Sequence, residues 1–285
     1  MWNNAVQIAG SILLAVVPVI VWGYVFYLKK PEKRSFMLIT FISGATAVFP
    51  ILLYKYLWQF FPWINVFRYT QIFEGDMFGF TRIVAIPVSV ILTFLIVGVI
   101  EEVMKNVAVR VSSHHYLRNI DDAIEFSIIA ALGFAFTENI MYFYNIWLHQ
   151  GMDNILGPFI FRTIFSTFAH VLFSGVFGYF YGIAHFATPI LREQLQTKRI
   201  DSIFELLYKW RILRGAADDL FKHASVFRGL LIATSLHAVY NIFLEMNWTF
   251  ALIPFLILGY VYLNHLFDLK QNHKQYNLVF ERELT

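Results

Sequence analysis

Residues 97–110, "VGVIEEVMKNVAVR", decide how this sequence is interpreted, because two adjacent glutamates and a lysine end a long apolar run. About 20 apolar residues in a row are enough to cross a bilayer as a helix. An ionisable side chain within such a helix costs roughly 2.5–3.5 kcal/mol or more, so it usually faces the interior of a helix bundle and has a partner there. The stretch therefore predicts that Glu101 and Glu102 belong to a buried polar site in a membrane protein.

The composition supports this interpretation. The chain has 285 residues, of which 58% are hydrophobic and 14% charged, whereas soluble domains carry about 25% charged residues. It has no cysteine, which excludes disulfides, a thiolate nucleophile and cysteine-ligated metals. The net charge is +3 and no nucleic-acid motif is present, so we expect no nucleic-acid partner.

Apolar segments long enough to span the bilayer recur along the chain, at about 5–28, 35–57, 82–108, 123–148, 161–187, 226–245 and 248–267. The first lacks the early Lys or Arg of a signal peptide and is predicted to be a retained helix. The sequence thus predicts an all-α, polytopic membrane helix bundle with about seven transmembrane helices, forming a single integral membrane domain over residues 1–285. In the fifth segment, Ser174, Gly178 and Gly182 form a stripe of small residues that predicts close approach of a neighbouring helix.

The distribution of Lys and Arg predicts the orientation, because basic loops stay in the cytoplasm. Four basic residues lie in the first loop, "KKPEKR", and more lie in residues 188–222 and in the tail, whereas residues 58–81 and 149–160 contain only Arg68. We therefore expect the N-terminus outside and the C-terminus in the cytoplasm. The segment of about 195–215 has an amphipathic pattern that predicts a cytoplasmic helix. This helix lies either on the inner membrane surface or against the cytoplasmic side of the bundle.

Four of the predicted helices carry an ionisable residue deep inside the span. These are Glu101 and Glu102 on the third, Glu138 on the fourth, His170 on the fifth and His237 on the sixth. At 1.5 Å rise per residue, all four helices place these groups near the middle of the bilayer, which predicts one shared site.

Spacing within the helices adds supporting residues. His237 and Asn241 are four residues apart and share one helix face. Glu101 and Glu102 point about 100° apart, and Lys105 is within reach of either. We therefore expect Lys105 to hold one glutamate while the other faces the pocket.

This set of side chains suits hydrolysis. Two histidines and a glutamate are the protein ligands of many catalytic zinc sites, with a fourth position left for water. Glu138, His170 and His237 are predicted to bind a divalent metal, most simply zinc, while Glu101 or Glu102 acts as general base. A metal-free alternative has a glutamate activate water while His and Asn stabilise the oxyanion.

Four motifs give these residues a family resemblance: "EEVMK" at 101–105, "FAFTEN" at 134–139, an R-x7-H pattern at 162–170 and "HAVYN" at 237–241. In this order they resemble the PrsW-type intramembrane proteases, within the superfamily of CAAX prenyl endopeptidases and bacteriocin-processing membrane proteases.

The resemblance covers about residues 95–245 and implies a protease-like core of about 82–268. It implies hydrolysis of a peptide bond of a membrane-protein substrate in the bacterial inner membrane, such as cleavage of a membrane-bound anti-sigma factor. Lys105, Asn139, Arg162 and Asn241 are the expected supporting residues, although Arg162 is as easily explained as an interface anchor.

Two alternatives from other classes stay open on sequence grounds. A proton-coupled transporter also places Glu and His at mid-membrane, but it favours repeat symmetry and broken helices, and neither is detectable in the sequence. A non-catalytic scaffold or receptor tolerates Glu138→Gln and His237→Ala, whereas a protease loses activity with either change.

Overall fold

The computed structural model describes residues 4–29, 34–81, 84–188, 190–191 and 217–271. The α-helices within these residues are α1 (Asn4–Lys29), α2 (Arg34–Thr46), α3 (Phe49–Leu57), α4 (Phe67–Thr70), α5 (Val88–Ser113), α6 (Ile120–Gln150), α7 (Leu156–Phe161), α8 (Thr167–His185), α9 (Ala217–Glu245) and α10 (Thr249–Gln271). A π-helical turn, Arg162–Ser166, joins α7 to α8. Strands β1 (Met77–Thr81) and β2 (Val84–Pro87) form an antiparallel hairpin just before α5.

The predicted all-α, multi-pass membrane architecture is confirmed. Within the described residues, six helical segments are long and apolar enough to cross a membrane: Asn4–Tyr24, Arg34–Leu57, Ile120–Gln150, Met152–His185, Asp219–Glu245 and Thr249–Leu269. Helix α5 has 26 residues but is not in this set, because it carries Glu101, Glu102, Lys105 and Arg110. The count of seven spans and the outside position of the N-terminus stay predictions.

One predicted segment begins at a different residue from the helix observed, and proline explains the difference. The predicted start of the third span, near residue 82, is wrong. Val84–Pro87 form strand β2, and α5 starts only at Val88. The residue before a proline is disfavoured in the helical region, so Ile86 takes the extended conformation that pairs with Phe78. In the second span, Pro50 lies in the first turn of α3, where a missing N–H is tolerated. Arg34–Leu57 therefore remains one membrane-crossing segment, with a short turn between α2 and α3.

Helix α6 is the centre of the bundle, and glycines bring its neighbours into backbone contact. A Cβ added at Gly44 of α2 would lie 2.0 Å from the carbonyl oxygen of Ala130, and one at Gly133 would lie 2.0 Å from that of Phe41. At Gly178 of α8 it would lie 2.7 Å from the Cα of Ile124. The predicted small-residue stripe on α8 is thus confirmed as the surface that packs on α6.

The predicted amphipathic segment of about 195–215 lies outside the described residues. Most of the basic segment 188–222, on which the predicted orientation depends, lies outside them as well.

Candidate active site

Helices α5, α6, α8 and α9 bring their ionisable side chains together in one hydrogen-bonded chain, as the depth argument predicts. Lys105 Nζ donates to Glu102 Oε1 over 2.7 Å and lies 2.9 Å from His170 Nδ1. The other ring nitrogen of this histidine, Nε2, lies 2.9 Å from Glu138 Oε2, which also accepts from Arg162 Nη2 over 2.8 Å. Residues distant in sequence thus form a single polar site inside the bundle.

The two adjacent glutamates have different surroundings. Glu102 is 2% exposed. Its Oε1 accepts hydrogen bonds from Lys105 Nζ and from His237 Nδ1, the latter over 2.8 Å. The expectation that Lys105 holds one glutamate is confirmed, and that glutamate is Glu102. Because a carboxylate accepts the Nδ1–H of His237, the Nε2 lone pair of this ring is left to face the interior of the site.

Glu101 points about 100° away from Glu102 around α5 and lines the cavity of the site. Its Oε2 is buried and has no hydrogen-bond partner among the described residues. The same oxygen lies 3.6 Å from His237 Nε2. A buried carboxylate oxygen without a partner is costly unless a water, a proton or a cation satisfies it.

Arg162 organises the part of the site that belongs to α6. In addition to Glu138, its guanidinium contacts Asn139 Oδ1 through Nε, and it lies 4.5 Å from the ring centroid of Tyr142. Asn139 is 1% exposed, and its amide donates to Thr167 Oγ1 over 3.3 Å. Two contacts to polar groups of α6 do not suit a side chain that anchors to the membrane interface, so the structure favours a role for Arg162 within the site.

A cavity of about 50 Å³ lies between these helices. Among its lining residues are Glu101, Glu138, Arg162, His170, His237 and Asn241. A polar cavity needs a volume of roughly 10–15 Å³, open to the centre of a water-sized sphere, to hold one water. The cavity therefore has room for a few water molecules beside the carboxylates.

The donor atoms fit a divalent metal. Glu101, His170 and His237 each offer a ligand atom, and these atoms lie within 4.8 Å of one another. Glu101 also has a buried oxygen, Oε2, without a hydrogen-bond partner among the described residues. Carboxylate–histidine contacts such as that of Glu102 with His237 are common behind metal-binding histidines, where they fix the ring.

Sequence reasoning missed two hydroxyl groups in the cavity wall, those of Ser166 and Tyr240, which lie 3.0 Å apart. Both residues lie inside the motifs quoted above, Tyr240 within "HAVYN" and Ser166 within the R-x7-H interval. Helical spacing could have found Tyr240, which is three residues after His237 on α9. It could not have found Ser166, because the π-helical turn changes the register just before α8.

The fold and the site together define a class. A multi-pass helix bundle that encloses carboxylates, histidines and a cavity of a few waters has the composition of an intramembrane hydrolase. The comparisons with known proteins agree: the sequence profile described as "PrsW family intramembrane metalloprotease" matches residues 32–266. This chain belongs to the PrsW family of intramembrane proteases, and it is a multi-pass bacterial membrane protein.

Similar proteins include three curated relatives. Protease PrsW of Geobacillus kaustophilus is 30% identical over 194 residues, which cover 66% of this chain and 73% of the relative. Protease PrsW of Shouchella clausii is 27% identical, with 61% and 70% covered, and that of Clostridioides difficile is 25% identical, with 72% and 76% covered. No solved structure matches this chain.

Proposed function

We propose that this chain hydrolyses a peptide bond of a membrane-associated protein, such as a membrane-bound anti-sigma factor, in the cavity between α5, α6, α8 and α9. The observation that carries this proposal is the buried, partnerless Oε2 of Glu101 beside His237 Nε2. Hydrolysis needs a water held against groups that take up a proton and stabilise negative charge, and this cavity supplies both. Family membership favours this reaction over the transporter and scaffold alternatives.

In this proposal Glu101, His170 and His237 hold the metal, and zinc suits the two-histidine, one-carboxylate donor set. When bound, zinc supplies Lewis-acid polarisation of water and of the scissile carbonyl group. The donor distances thus favour Glu101 over Glu138 as the carboxylate ligand, which reverses the roles expected from the sequence. Glu138 is better suited to proton transfer, because it lines the cavity and Arg162 fixes its Oε2, leaving Oε1 to accept a proton.

A metal-free mechanism is the second candidate, and the contact between Lys105 and His170 favours it. The ammonium group of Lys105 can only donate, so Nδ1 of His170 accepts and the ring proton lies on Nε2, facing Glu138. In this tautomer His170 has no lone pair left for a metal. Glu101 then acts as the base that takes the proton of the attacking water, and Lys105 must release His170 for a metal to bind.

Metal analysis combined with cleavage distinguishes the two mechanisms. The samples are detergent-purified wild type, Glu101→Gln, His237→Ala and Glu138→Gln, with Glu245→Gln at the exposed end of α9 as the matched control. The zinc mechanism predicts about one zinc per chain in the wild type, in Glu138→Gln and in the control. It predicts loss of zinc in Glu101→Gln and in His237→Ala. Cleavage of fluorescein-labelled casein in micelles is lost in the three site variants and kept in the control.

Two other outcomes of this experiment distinguish the remaining possibilities. A wild type that cleaves casein without bound metal, and loses cleavage with Glu101→Gln, establishes the metal-free mechanism. Cleavage that persists in both Glu101→Gln and Glu138→Gln contradicts the proposed function, because no carboxylate in the cavity is then needed.

A further inference from the structure

The hydroxyl groups of Tyr240 and Ser166 form a buried pair that neither mechanism above uses. Both residues are 4% exposed and line the cavity together with Glu101 and His237. Tyr240 lies on α9, three residues after His237, and therefore on nearly the same helix face. Ser166 is the last residue of the π-helical turn.

Counting hydrogens shows what this pair offers to the cavity. Two hydroxyl groups carry two hydrogens, and the bond between them, 3.0 Å long, uses one. The second hydrogen has no acceptor among the described residues. Whichever hydroxyl donates within the pair, one O–H donor therefore remains in a cavity whose other polar groups include two carboxylates and two histidines.

The π-helical turn that places Ser166 is held in position from another helix. A π-helical turn interrupts the regular i to i−4 hydrogen bonds of an α-helix. The carbonyl oxygen of Thr163, within the turn, accepts a hydrogen bond from Trp22 Nε1 of α1 over 3.0 Å. The carbonyl oxygen of Arg162 accepts one from Thr167 Oγ1 over 2.9 Å. These bonds stabilise a turn that brings Ser166 next to Tyr240.

We infer that Ser166 donates within the pair and that Tyr240, whose phenol O–H is the stronger donor, is a catalytic residue that donates the free hydrogen bond to the carbonyl oxygen of the scissile peptide bond. As water adds to the carbonyl carbon, one of its protons passes to a carboxylate of the cavity, Glu101 or Glu138, and the π electrons of the C=O bond move to the carbonyl oxygen. The hydroxyl hydrogen of Tyr240 then stabilises the negative charge without leaving the phenol oxygen. A donor fixed in a water-poor cavity stabilises such charge more than it stabilises the neutral carbonyl group.

The test rests on the proposed peptide hydrolysis and compares Tyr240→Phe with a matched control, Tyr179→Phe. Tyr179 is also 4% exposed but does not line the cavity. With fluorescein-labelled casein, Tyr240→Phe should lower kcat by about 10²–10³-fold and leave KM within about threefold, as expected for a donor used only in the transition state. Tyr179→Phe should keep the wild-type kcat.

Ser166→Ala and the double variant separate catalysis from packing. Ser166→Ala should lower kcat by no more than about tenfold, because the phenol hydroxyl is still present, and the double variant should be no slower than Tyr240→Phe. Thermal unfolding in detergent should be the same for Tyr240→Phe and Tyr179→Phe.

Two results overturn different parts of the argument. If Tyr240→Phe keeps kcat within twofold while Glu101→Gln is inactive, or if it changes only KM, the role of Tyr240 is wrong and the proposed function stands. If Glu101→Gln and Glu138→Gln both retain full activity, the cavity is not the site of hydrolysis and both proposals fail.

Discussion

Replacing each of the two adjacent glutamates should separate stability from activity. In Glu102→Gln the ammonium group of Lys105, itself 2% exposed, loses its carboxylate and keeps only contacts with uncharged groups, the rings of His170 and Phe134 among them. Breaking a buried ion pair by removing one partner costs about 3–5 kcal/mol. Glu101 Oε2 has no hydrogen-bond partner to lose, so Glu101→Gln should change the free energy of unfolding by less than about 1 kcal/mol.

The assay is thermal unfolding of metal-stripped protein in detergent with a chelator present, so that lost metal does not contribute. The midpoint of Glu102→Gln should lie about 10 °C below that of the wild type, and that of Glu101→Gln close to it. Casein cleavage, measured without the chelator, should fall by about 10²–10⁴-fold in Glu101→Gln. The double variant Glu102→Gln, Lys105→Met should recover most of the lost stability, because it leaves no unpaired charge.

This reasoning is refuted if both single variants lower the midpoint equally, because the two carboxylates then have equivalent surroundings. It is also refuted if the double variant is less stable than Glu102→Gln, because the lost ion pair is then not the cause.

Three further predictions test other parts of the structure. Gly133→Ala, whose added Cβ would lie 2.0 Å from the carbonyl oxygen of Phe41, should cost about 1–3 kcal/mol of stability, whereas Gly157→Ala, which has open space around it, should leave the unfolding midpoint unchanged. Arg162→Lys keeps the charge but loses the planar fork that contacts both polar groups of α6, so kcat for casein should fall at least about tenfold with little change in KM. Partial burial, followed by neighbouring positive groups, lowers the pKa of His114 below its usual value of 6.5. The folded state then binds fewer protons there than the unfolded state, so stability falls as the pH drops below about 6.5, and His114→Asn should flatten the dependence of the unfolding midpoint between about pH 7.5 and 5.5. An equally steep dependence in that variant contradicts the assignment.

Much of the site followed from sequence because helix geometry is regular. The depths of Glu138, His170 and His237 and the reach of Lys105 depend only on the rise and rotation per residue. Comparing these positions across four helices was enough to predict one shared cluster, and the structure confirms the cluster.

The pairing within the cluster did not follow, because it depends on how each helix is rotated against its neighbours. The role of Glu138 as a metal ligand stays a prediction, but no periodicity in the sequence reveals that its Oε2 accepts a hydrogen bond from Arg162, the first residue of a π-helical turn. The start of α5 is predicted too early for a different reason: the four apolar residues of β2 continue directly into the apolar run of α5, and periodicity alone does not separate a strand this short from a helix.

The charges of α5 have a consequence for how the chain enters the membrane during synthesis. Lys105 contacts His170, which follows 65 residues later in the sequence, and Glu102 contacts His237, which follows 135 residues later. When α5 leaves the ribosome, neither histidine has been made, and a helix with three ionisable groups at its centre is poorly stable in lipid on its own. With the predicted seven spans, stable integration of α5 depends on the arrival of α8 and α9, so that the residues of the proposed active site also complete membrane assembly.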